Sequence, residues 1–238
     1  MNASLLIVIT LTAIQDALVG LVAQRVPATG LAWLEVAAGV QPEFDRAAFL
    51  DAFALATRRL SRAPLDVTPD EAGTLAALGI EWPIGVWGVD DAGRAALLVS
   101  AAAQLRASEF ERVLEDVYQH GDNRERQAVL RTLPLLPEPA RFLPLAVDAC
   151  RMHIQPLFEA VACENPYPEA HFPDLNFNQM VLKALFIGVP LARVVGLERR
   201  LTSELARMAG DYASERAAAG RSIPADIGLV TAGRGSPP

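Results

Sequence analysis

Apolar residues recur at helical spacing along most of this chain, and caps and stops divide them into short segments. Thr68 with Glu71, and Asp122 with Glu125, have the three-residue spacing of a capping box. Gly121 follows an apolar-periodic segment and is expected to end a helix there. No stretch keeps up the polar–apolar alternation of a half-buried strand. The pattern therefore predicts an all-α fold.

The predicted helices follow one another in close pairs. A segment that begins at Arg94 (RAALL) is echoed by one that begins at Arg126 (RQAVL), which suggests a weak repeat of about 30 residues. Such pairing favours an irregular HEAT-like α-solenoid, with an orthogonal bundle as the other arrangement. We expect a single all-helical domain over 1–220, with an N-terminal region at 1–80, a helical-repeat region at 90–220, and a flexible tail over 221–238.

The charge balance excludes one large class of partner. The formal net charge is −7 and the isoelectric point is near 5.0, whereas a nucleic-acid-binding chain needs clustered excess Lys and Arg. The only cysteines, Cys150 and Cys163, are too few for a disulfide framework in a chain of 238 residues. We expect both to be free, buried thiols in a cytoplasmic protein.

The apolar run Leu5–Ala13 could in principle be a targeting or membrane segment. No Lys or Arg precedes it, and Gln15 and Asp16 interrupt it well before the roughly 20 apolar residues that a spanning helix needs. It predicts a buried first helix and no stable membrane insertion. A peripheral contact of this helix with a membrane or a partner is the alternative.

The most unusual side chains lie in the proline-rich stretch 164–200. Prolines at 166, 168 and 173 predict an irregular loop, because the residue before a proline favours extended backbone. Asn176 and Gln179 have capping-box spacing, so a helix is predicted from Phe177. Lys183, the only lysine of the chain, then shares a face with Asn176 and Gln179.

These side chains form the predicted ligand-binding site: Tyr167, His171, Asn176, Asn178, Gln179, Lys183 and Arg193. Lys183 either extends to solvent or pairs with a carboxylate such as Glu164, or it forms an anion or carbonyl pocket with the helix start. His171 either acts as a general acid or base or bonds loop carbonyls. No catalytic residue is assigned.

No metal and no cofactor are predicted. Cys150, His153, Cys163 and His171 could supply zinc ligands, but their spacing matches no zinc finger or knuckle. Phosphate-binding glycine loops and the Gly-x-Ser-x-Gly and His-Glu-x-x-His motifs are also missing from the sequence. A further interpretation concerns Arg193, Glu198 and Arg199, which we expect to form an ion-pair network.

The stretch NPYPEAHFPDLNFNQMVLKALFIGVPLARVVGLERR, followed by ELARMAGDYASERAAAGR, resembles the EboA family of bacterial proteins. The pieces that begin at Asp122 (DNRERQA) and Arg131 (RTLPLLP) resemble it as well. The resemblance implies a protein encoded in a conserved gene cluster that moves metabolite precursors from the cytosol to the periplasm. It implies no reaction and no catalytic residue.

Two functional hypotheses follow. The first is a non-enzymatic helical adaptor or small-metabolite-binding protein in bacterial secondary-metabolite precursor traffic towards the periplasm. Its partners would be a small-molecule metabolite, other proteins of the same gene cluster, or both, and no nucleic acid. The second is a small-molecule enzyme with a pocket at the loop and helix start over 165–183.

Overall fold

All regular elements within the described residues are helical. The structure is a computed structural model that describes the backbone of residues 3–231 and the side chains of residues 10–231. No β-strand forms within 3–231, which confirms the all-α prediction. The α-helices are α1 (Ala3–Ala23), α2 (Ala28–Ala37), α3 (Arg46–Leu60), α4 (Pro69–Ala77), α5 (Val89–Gln104), α6 (Ala107–His120), α7 (Asn123–Thr132), α8 (Leu143–Arg151), α9 (Gln155–Ala162), α10 (Tyr167–His171), α11 (Asp174–Ile187), α12 (Ser203–Ala218) and α13 (Ile227–Thr231).

The chain forms two compact units. The first ends at Phe142 and contains α1 to α7, and the second begins at Leu143 and contains α8 to α13. The single domain over 1–220 and the HEAT-like stacking stay predictions. Of the predicted tail 221–238, residues 227–231 form α13, and residues 232–238 lie outside the described residues. No helix in the described portion of the chain is long and apolar enough to cross a membrane.

The first unit is built around α5. This helix packs against α1, α3, α6 and α7, and fourteen of its sixteen residues are buried. The helical spacing of Ala95, Leu98, Val99 and Ala102 predicts one buried stripe on this helix, but its neighbours cover α5 on all sides. Its small residues make such close packing feasible. At Gly93, an added Cβ would overlap the Leu60 side chain of α3.

A buried ionic network holds the first turn of α5. Asp90 is fully buried, and its carboxylate accepts hydrogen bonds from Thr57 Oγ1 (2.6 Å), Arg94 Nη1 (3.0 Å) and Arg124 Nη2 (3.0 Å). Arg94 is also buried, and it donates to Phe53 O and Thr57 Oγ1. The network therefore joins α3, α5 and α7 through groups that satisfy one another.

Hydrogen bonding outweighs desolvation at Asp90. Burial by itself would raise the pKa of this carboxyl. The hydrogen bonds from Thr57 and Arg124, together with the positive charges of Arg124 and Arg94, hold the pKa below its ordinary value. Asp91, next along the helix, closes a capping box with Gly88 N (2.9 Å) and pairs with Arg131 of α7.

A second ion pair ties α4 to the end of α1. Arg25 donates to both carboxylate oxygens of Glu71 (2.8 and 2.6 Å) and to the carbonyls of Leu65 and Asp66. The bond from Arg25 is the main reason that the pKa of Glu71 falls from 4.5 to about 2. The Thr68–Glu71 capping box at the start of α4 is present as predicted.

One helix start in the first unit differs from the sequence-based prediction. The proline at Pro42 ahead of an apolar-periodic segment predicts a helix that opens there, but α3 begins at Arg46 because the Asp45 side chain caps Ala48 N (3.0 Å). Pro42 therefore lies in a loop. The Asp122–Glu125 capping box of α7 is confirmed.

Loss of the Asp90 charge should destabilise the first unit strongly. In Asp90→Asn, Arg94 and Arg124 keep their buried or half-buried charges without a counter-charge, at a cost of about 3 kcal/mol or more. Urea unfolding followed by tryptophan fluorescence measures this, because Trp33, Trp82 and Trp87 all lie in the first unit. The exposed pair Arg106–Glu109 supplies the control, since Glu109→Gln should leave the midpoint unchanged. Equal midpoints for the two variants would contradict the role of the network.

Acid should selectively remove the contribution of Glu71. Its folded pKa lies below its unfolded pKa, so the native state binds fewer protons and the stabilisation is complete above pH 4.5. It should be lost as the pH falls from 4.5 towards 2. The stability difference between wild type and Glu71→Gln, measured by urea unfolding across this range, should therefore shrink. A difference that stays constant down to pH 2 would show that the pair with Arg25 is not the cause.

Candidate functional site

The predicted ligand-binding residues all lie in the second unit. Tyr167 and His171 are on α10, and Arg193 ends the 3-10 turn Leu191–Arg193. The other four are on α11: Asn176, Asn178, Gln179 and Lys183. The prediction that the proline-rich segment is free of helix is wrong, because Pro168 lies in the first turn of α10, where a missing N–H costs nothing.

The start of α11 also differs from the prediction. The helix begins at Asp174, behind Pro173, and no side chain caps it. The capping box expected from Asn176 and Gln179 is therefore wrong, because both residues lie inside the helix. Gln179 is exposed, Asn176 is half-buried, and Asn178 is buried at 3% exposure.

Lys183 closes the end of another helix. Its Nζ donates to Cys150 O (2.5 Å) and Met152 O (2.7 Å), at the last turn of α8 and just beyond it. The same atom lies 5.1 Å from the centre of the Phe158 ring on α9. Burial lowers the pKa of the amine. The amine therefore binds backbone carbonyls. Its hydrogen bonds go neither to the expected carboxylate nor into an open anion pocket.

Tyr167 and His171 form an aromatic cluster. Their ring centroids are 4.8 Å apart, and the Phe172 ring meets Tyr167 edge-on at 6.3 Å. Tyr167 is 1% exposed, and burial raises the pKa of its hydroxyl. Burial also lowers the pKa of His171, which is half-buried. The Asn165 side chain holds the start of this segment by donating to Ala160 O and accepting from Tyr167 N.

Arg193 is held by two carboxylates. It donates to both oxygens of Glu164 (2.8 and 3.0 Å) and to Glu159 (2.6 Å), and these hydrogen bonds raise the pKa of the guanidinium. The network predicted for Arg193, Glu198 and Arg199 is therefore wrong. Arg199 pairs instead with Glu169, so the two arginines stabilise different turns.

The structure thus brings the predicted residues into separate contacts. Tyr167 meets His171, whereas Lys183 binds the α8 end and Arg193 binds Glu159 and Glu164. Within the described residues, no hydrogen bond or ion pair joins Lys183 to His171 or Arg193. One polar atom of the set stands out, since the buried Asn178 Oδ1 accepts no hydrogen bond from the described chain. Cys150 and Cys163 are free and buried as predicted, and burial raises the pKa of each thiol to about 12.

A cavity that the sequence did not predict lies in the first unit. It has a volume of about 480 Å³ and opens between α2, α3 and α5, and we call it the α2–α3–α5 cavity. Its lining residues are Trp33, Val36, Ala37, Gly39, Gln41, Glu43, Phe44, Asp45, Ala48, Phe49, Asp51, Ala52, Leu55, Leu97, Ser100, Ala101 and Gln104. The wall is mostly apolar, and the carboxylates belong to exposed residues.

Hydrogen bonds fix the loop that borders this cavity. Gln104 accepts from Gln41 N (3.0 Å) through Oε1 and donates to Ser100 Oγ (2.9 Å) through Nε2. Ser100 Oγ in turn donates to Ala38 O (2.7 Å), just after α2. On the aromatic side, the Phe44 and Phe49 rings are 5.5 Å apart. Helix α5 therefore fixes the loop after α2 that borders the cavity.

A larger groove of about 720 Å³ lies between α1 and α4. Asp16, Gly20 and Leu75 are among its lining residues, and the Arg25–Glu71 pair lies along it. No aromatic side chain lines this groove, as far as the described residues show. The α2–α3–α5 cavity contains three aromatic rings and a hydrogen-bonded floor, so it is better suited to hold an organic molecule.

One sequence signal could have located this cavity. A break at Gly39–Pro42 stands between Trp33 on one side and the aromatic residues Phe44 and Phe49 on the other. A helix start at Pro42 would place Phe44 on a helix face, whereas both residues lie in the loop before α3. No group of three His, Cys, Asp or Glu side chains that could hold a metal occurs among the described residues.

The chain matches the family model described as metabolite traffic protein EboA over residues 14–231. It belongs to the EboA family. The match spans most of both units, including every residue of the α2–α3–α5 cavity and of the site predicted on α10 and α11. Comparisons with curated proteins and with solved structures find no significant match.

Replacement of Lys183 should weaken the second unit. Lys183→Met keeps the apolar stem but removes the two hydrogen bonds that the amine donates to the carbonyls of Cys150 and Met152, at a cost of about 1–2 kcal/mol. Hydrogen exchange of α8 and α9, followed by mass spectrometry, should become faster. The control is Gln179→Met, an exposed position one turn earlier on α11, which should leave exchange unchanged. Unaltered exchange in Lys183→Met would show that the amine does not stabilise the α8 end.

Proposed function

We propose that the chain is a non-enzymatic, small-metabolite-binding protein of metabolite traffic and that the α2–α3–α5 cavity holds the ligand. Two findings support this proposal. The family to which the chain belongs is described as a metabolite traffic protein. The cavity, at about 480 Å³, falls within the ~300–1,000 Å³ that ligand sites in proteins occupy.

The single observation that carries the proposal is the aromatic and aliphatic wall of this cavity. Trp33, Phe44 and Phe49 face it from a helix, a loop and a second helix. Burial of these surfaces against a ligand releases roughly 25 cal/mol per Å² of apolar area. A molecule of moderate size could therefore bind without any charged anchor.

The polar groups that Ser100 and Gln104 contribute to the cavity favour binding over catalysis. A nucleophilic hydroxyl needs an adjacent base that takes its proton. Ser100 Oγ instead donates to Ala38 O and accepts from the amide of Gln104, a group that cannot act as a base. The hydroxyl therefore fixes the α2–α5 geometry.

In the proposed role, the protein takes up a secondary-metabolite precursor in the cytoplasm and passes it on towards the periplasm. Other proteins of the same gene cluster would receive it, so the chain would also act as an adaptor. This step of the proposal is supported by the family's description and by the bacterial family resemblance of residues 164–200.

A small-molecule enzyme with a pocket over 165–183 is the second candidate function. The observation that favours it is Asn178 Oδ1, a buried acceptor to which a ligand could donate. The ligand-binding roles of Tyr167, His171, Asn176, Asn178, Gln179, Lys183 and Arg193 stay a prediction. Asn178→Leu removes this acceptor and keeps a similar side-chain volume. If the second candidate function is correct, the variant should lose a metabolite that copurifies with wild type.

Filling the cavity should abolish ligand binding while the fold persists. Ala37→Leu/Ala48→Leu projects two isobutyl groups into the cavity from α2 and α3. The neutral fluorescent probe N-phenyl-1-naphthylamine should bind wild type saturably, and the double variant at least ~10-fold more weakly, a loss of about 1.4 kcal/mol. Mass spectrometry of small molecules that copurify from the native host should show the same loss.

The chain offers a matched control for this experiment. Ala32→Leu/Ala47→Leu makes the same chemical change on the same two helices, at exposed positions that do not line the cavity. The control should bind like wild type. Equal binding by the occluded and control variants would refute the cavity as the site, and conversion of a retained metabolite by purified protein would refute the non-enzymatic role.

A further inference from the structure

We propose that the α2–α3–α5 cavity selects apolar molecules that carry a positive charge and discriminates against anions. This inference rests on the proposed binding function and adds the charge of the ligand to it. Three features set the electrostatic potential of the cavity: the carboxylates at its rim, the ends of the helices that line it, and the ion pairs that engage Arg46 and Arg94.

The rim carries three carboxylates and no cationic side chain. Glu43, Asp45 and Asp51 line the cavity, and no Lys or Arg is among its lining residues in the described chain. Within the same described residues, neither Glu43 nor Asp51 makes an ion pair. Their charges are therefore not cancelled locally, and they act on whatever enters the cavity.

Two helices present their C-terminal ends to the cavity. Val36 and Ala37 belong to the last turn of α2, and Ala101 and Gln104 to the last turn of α5. The C-terminal end of a helix carries a partial negative charge from its aligned peptide dipoles, and this charge attracts cations. Both ends therefore add to the field of the rim carboxylates.

One helix presents its positive N-terminal end to the cavity, and a carboxylate already neutralises that end. The N-terminus of α3 reaches the cavity at Ala48 and would attract an anion by its partial positive charge. Asp45 occupies that position, because its carboxylate accepts from Ala48 N (3.0 Å). The intrinsic anion site is thus filled by a side chain of the same chain.

The arginine beside the rim residue Asp45 is engaged in an ion pair with another helix. Arg46 follows Asp45 directly, and its Nη2 is 2.8 Å from Asp116 Oδ2 of α6. Arg94 of α5 is buried within the network around Asp90. Neither guanidinium lines the cavity, so an anionic ligand would meet no counter-charge there. An ammonium group on an apolar body fits both the wall and the rim.

Three naphthalene probes whose substituents at the same ring position differ in charge test this inference. They are 1-naphthylmethylamine, which is cationic at neutral pH, the neutral 1-naphthalenemethanol, and the anionic 1-naphthoate. Equilibrium dialysis should give an affinity order of amine, alcohol and acid, with a total span of at least ~10-fold for charges a few ångströms away in a surface site. High salt should reduce this span because the rim is exposed.

Charge removal at the rim should remove the preference. In Glu43→Gln/Asp51→Asn the ratio between amine and acid should fall to about 2-fold or less, while the alcohol binds as before. Asp45 is left unchanged because it caps α3. The control Asp70→Asn/Glu115→Gln reduces the net negative charge by the same amount at exposed positions outside the cavity and should keep the wild-type ratio.

The outcomes separate this inference from the proposed function. If wild type binds all three probes equally, or if both double variants keep the same ratio, charge selection is overturned while binding in the cavity stands. If no probe binds and N-phenyl-1-naphthylamine binds the occluded variant like wild type, both are overturned. The expected order together with loss of the ratio only in the rim variant would confirm the inference.

Discussion

The carboxylate of Asp90 is the interaction on which the first unit depends most. It lies in the first turn of α5, where the positive end of the helix favours a negative charge, and three side chains from three helices donate to it. Desolvation makes such a group costly unless every lone pair is satisfied. Since α3, α5 and α7 each supply a donor, the charge is stable only when these helices are correctly placed. The network therefore specifies the arrangement as well as stabilising it.

The two halves of α5 have different roles: one holds the neighbouring helices and the other lines the cavity. Its N-terminal half carries the charges that fix α3 and α7, and its C-terminal half supplies Ser100, Ala101 and Gln104 to the cavity. Two of its small residues, Ser100 and Ala101, line the cavity, where bulkier side chains would occupy the space. In the second unit, Lys183 and Arg193 serve a comparable purpose, because each binds carbonyls or carboxylates that belong to another turn.

Local sequence signals predicted the elements well and their surroundings poorly. The Thr68 and Asp122 capping boxes and the all-α fold are confirmed because each depends on a few neighbouring residues. The partners of Lys183 could not be found in this way, since the carbonyls that it binds lie more than thirty residues away. The burial of Arg94 was also missed. An arginine four positions after Asp90 is typical of a solvated ion pair on a helix surface, and its partners on α3 are distant in the sequence.

The predicted ligand-binding site on α10 and α11 shows a further limit of sequence-based prediction. Unusual polar residues on an apolar helix predicted a pocket around Lys183. A polar side chain in an apolar setting can equally form hydrogen bonds with other groups of the same chain. The arginines of the ionic network and Lys183 are bound by the fold, and their hydrogen bonds leave little capacity for a ligand. Glu43 and Asp51 make no ion pair within the described residues and face a cavity with an aromatic wall. Charges that the fold does not neutralise can discriminate among ligands, and those that line this cavity in the described residues are negative.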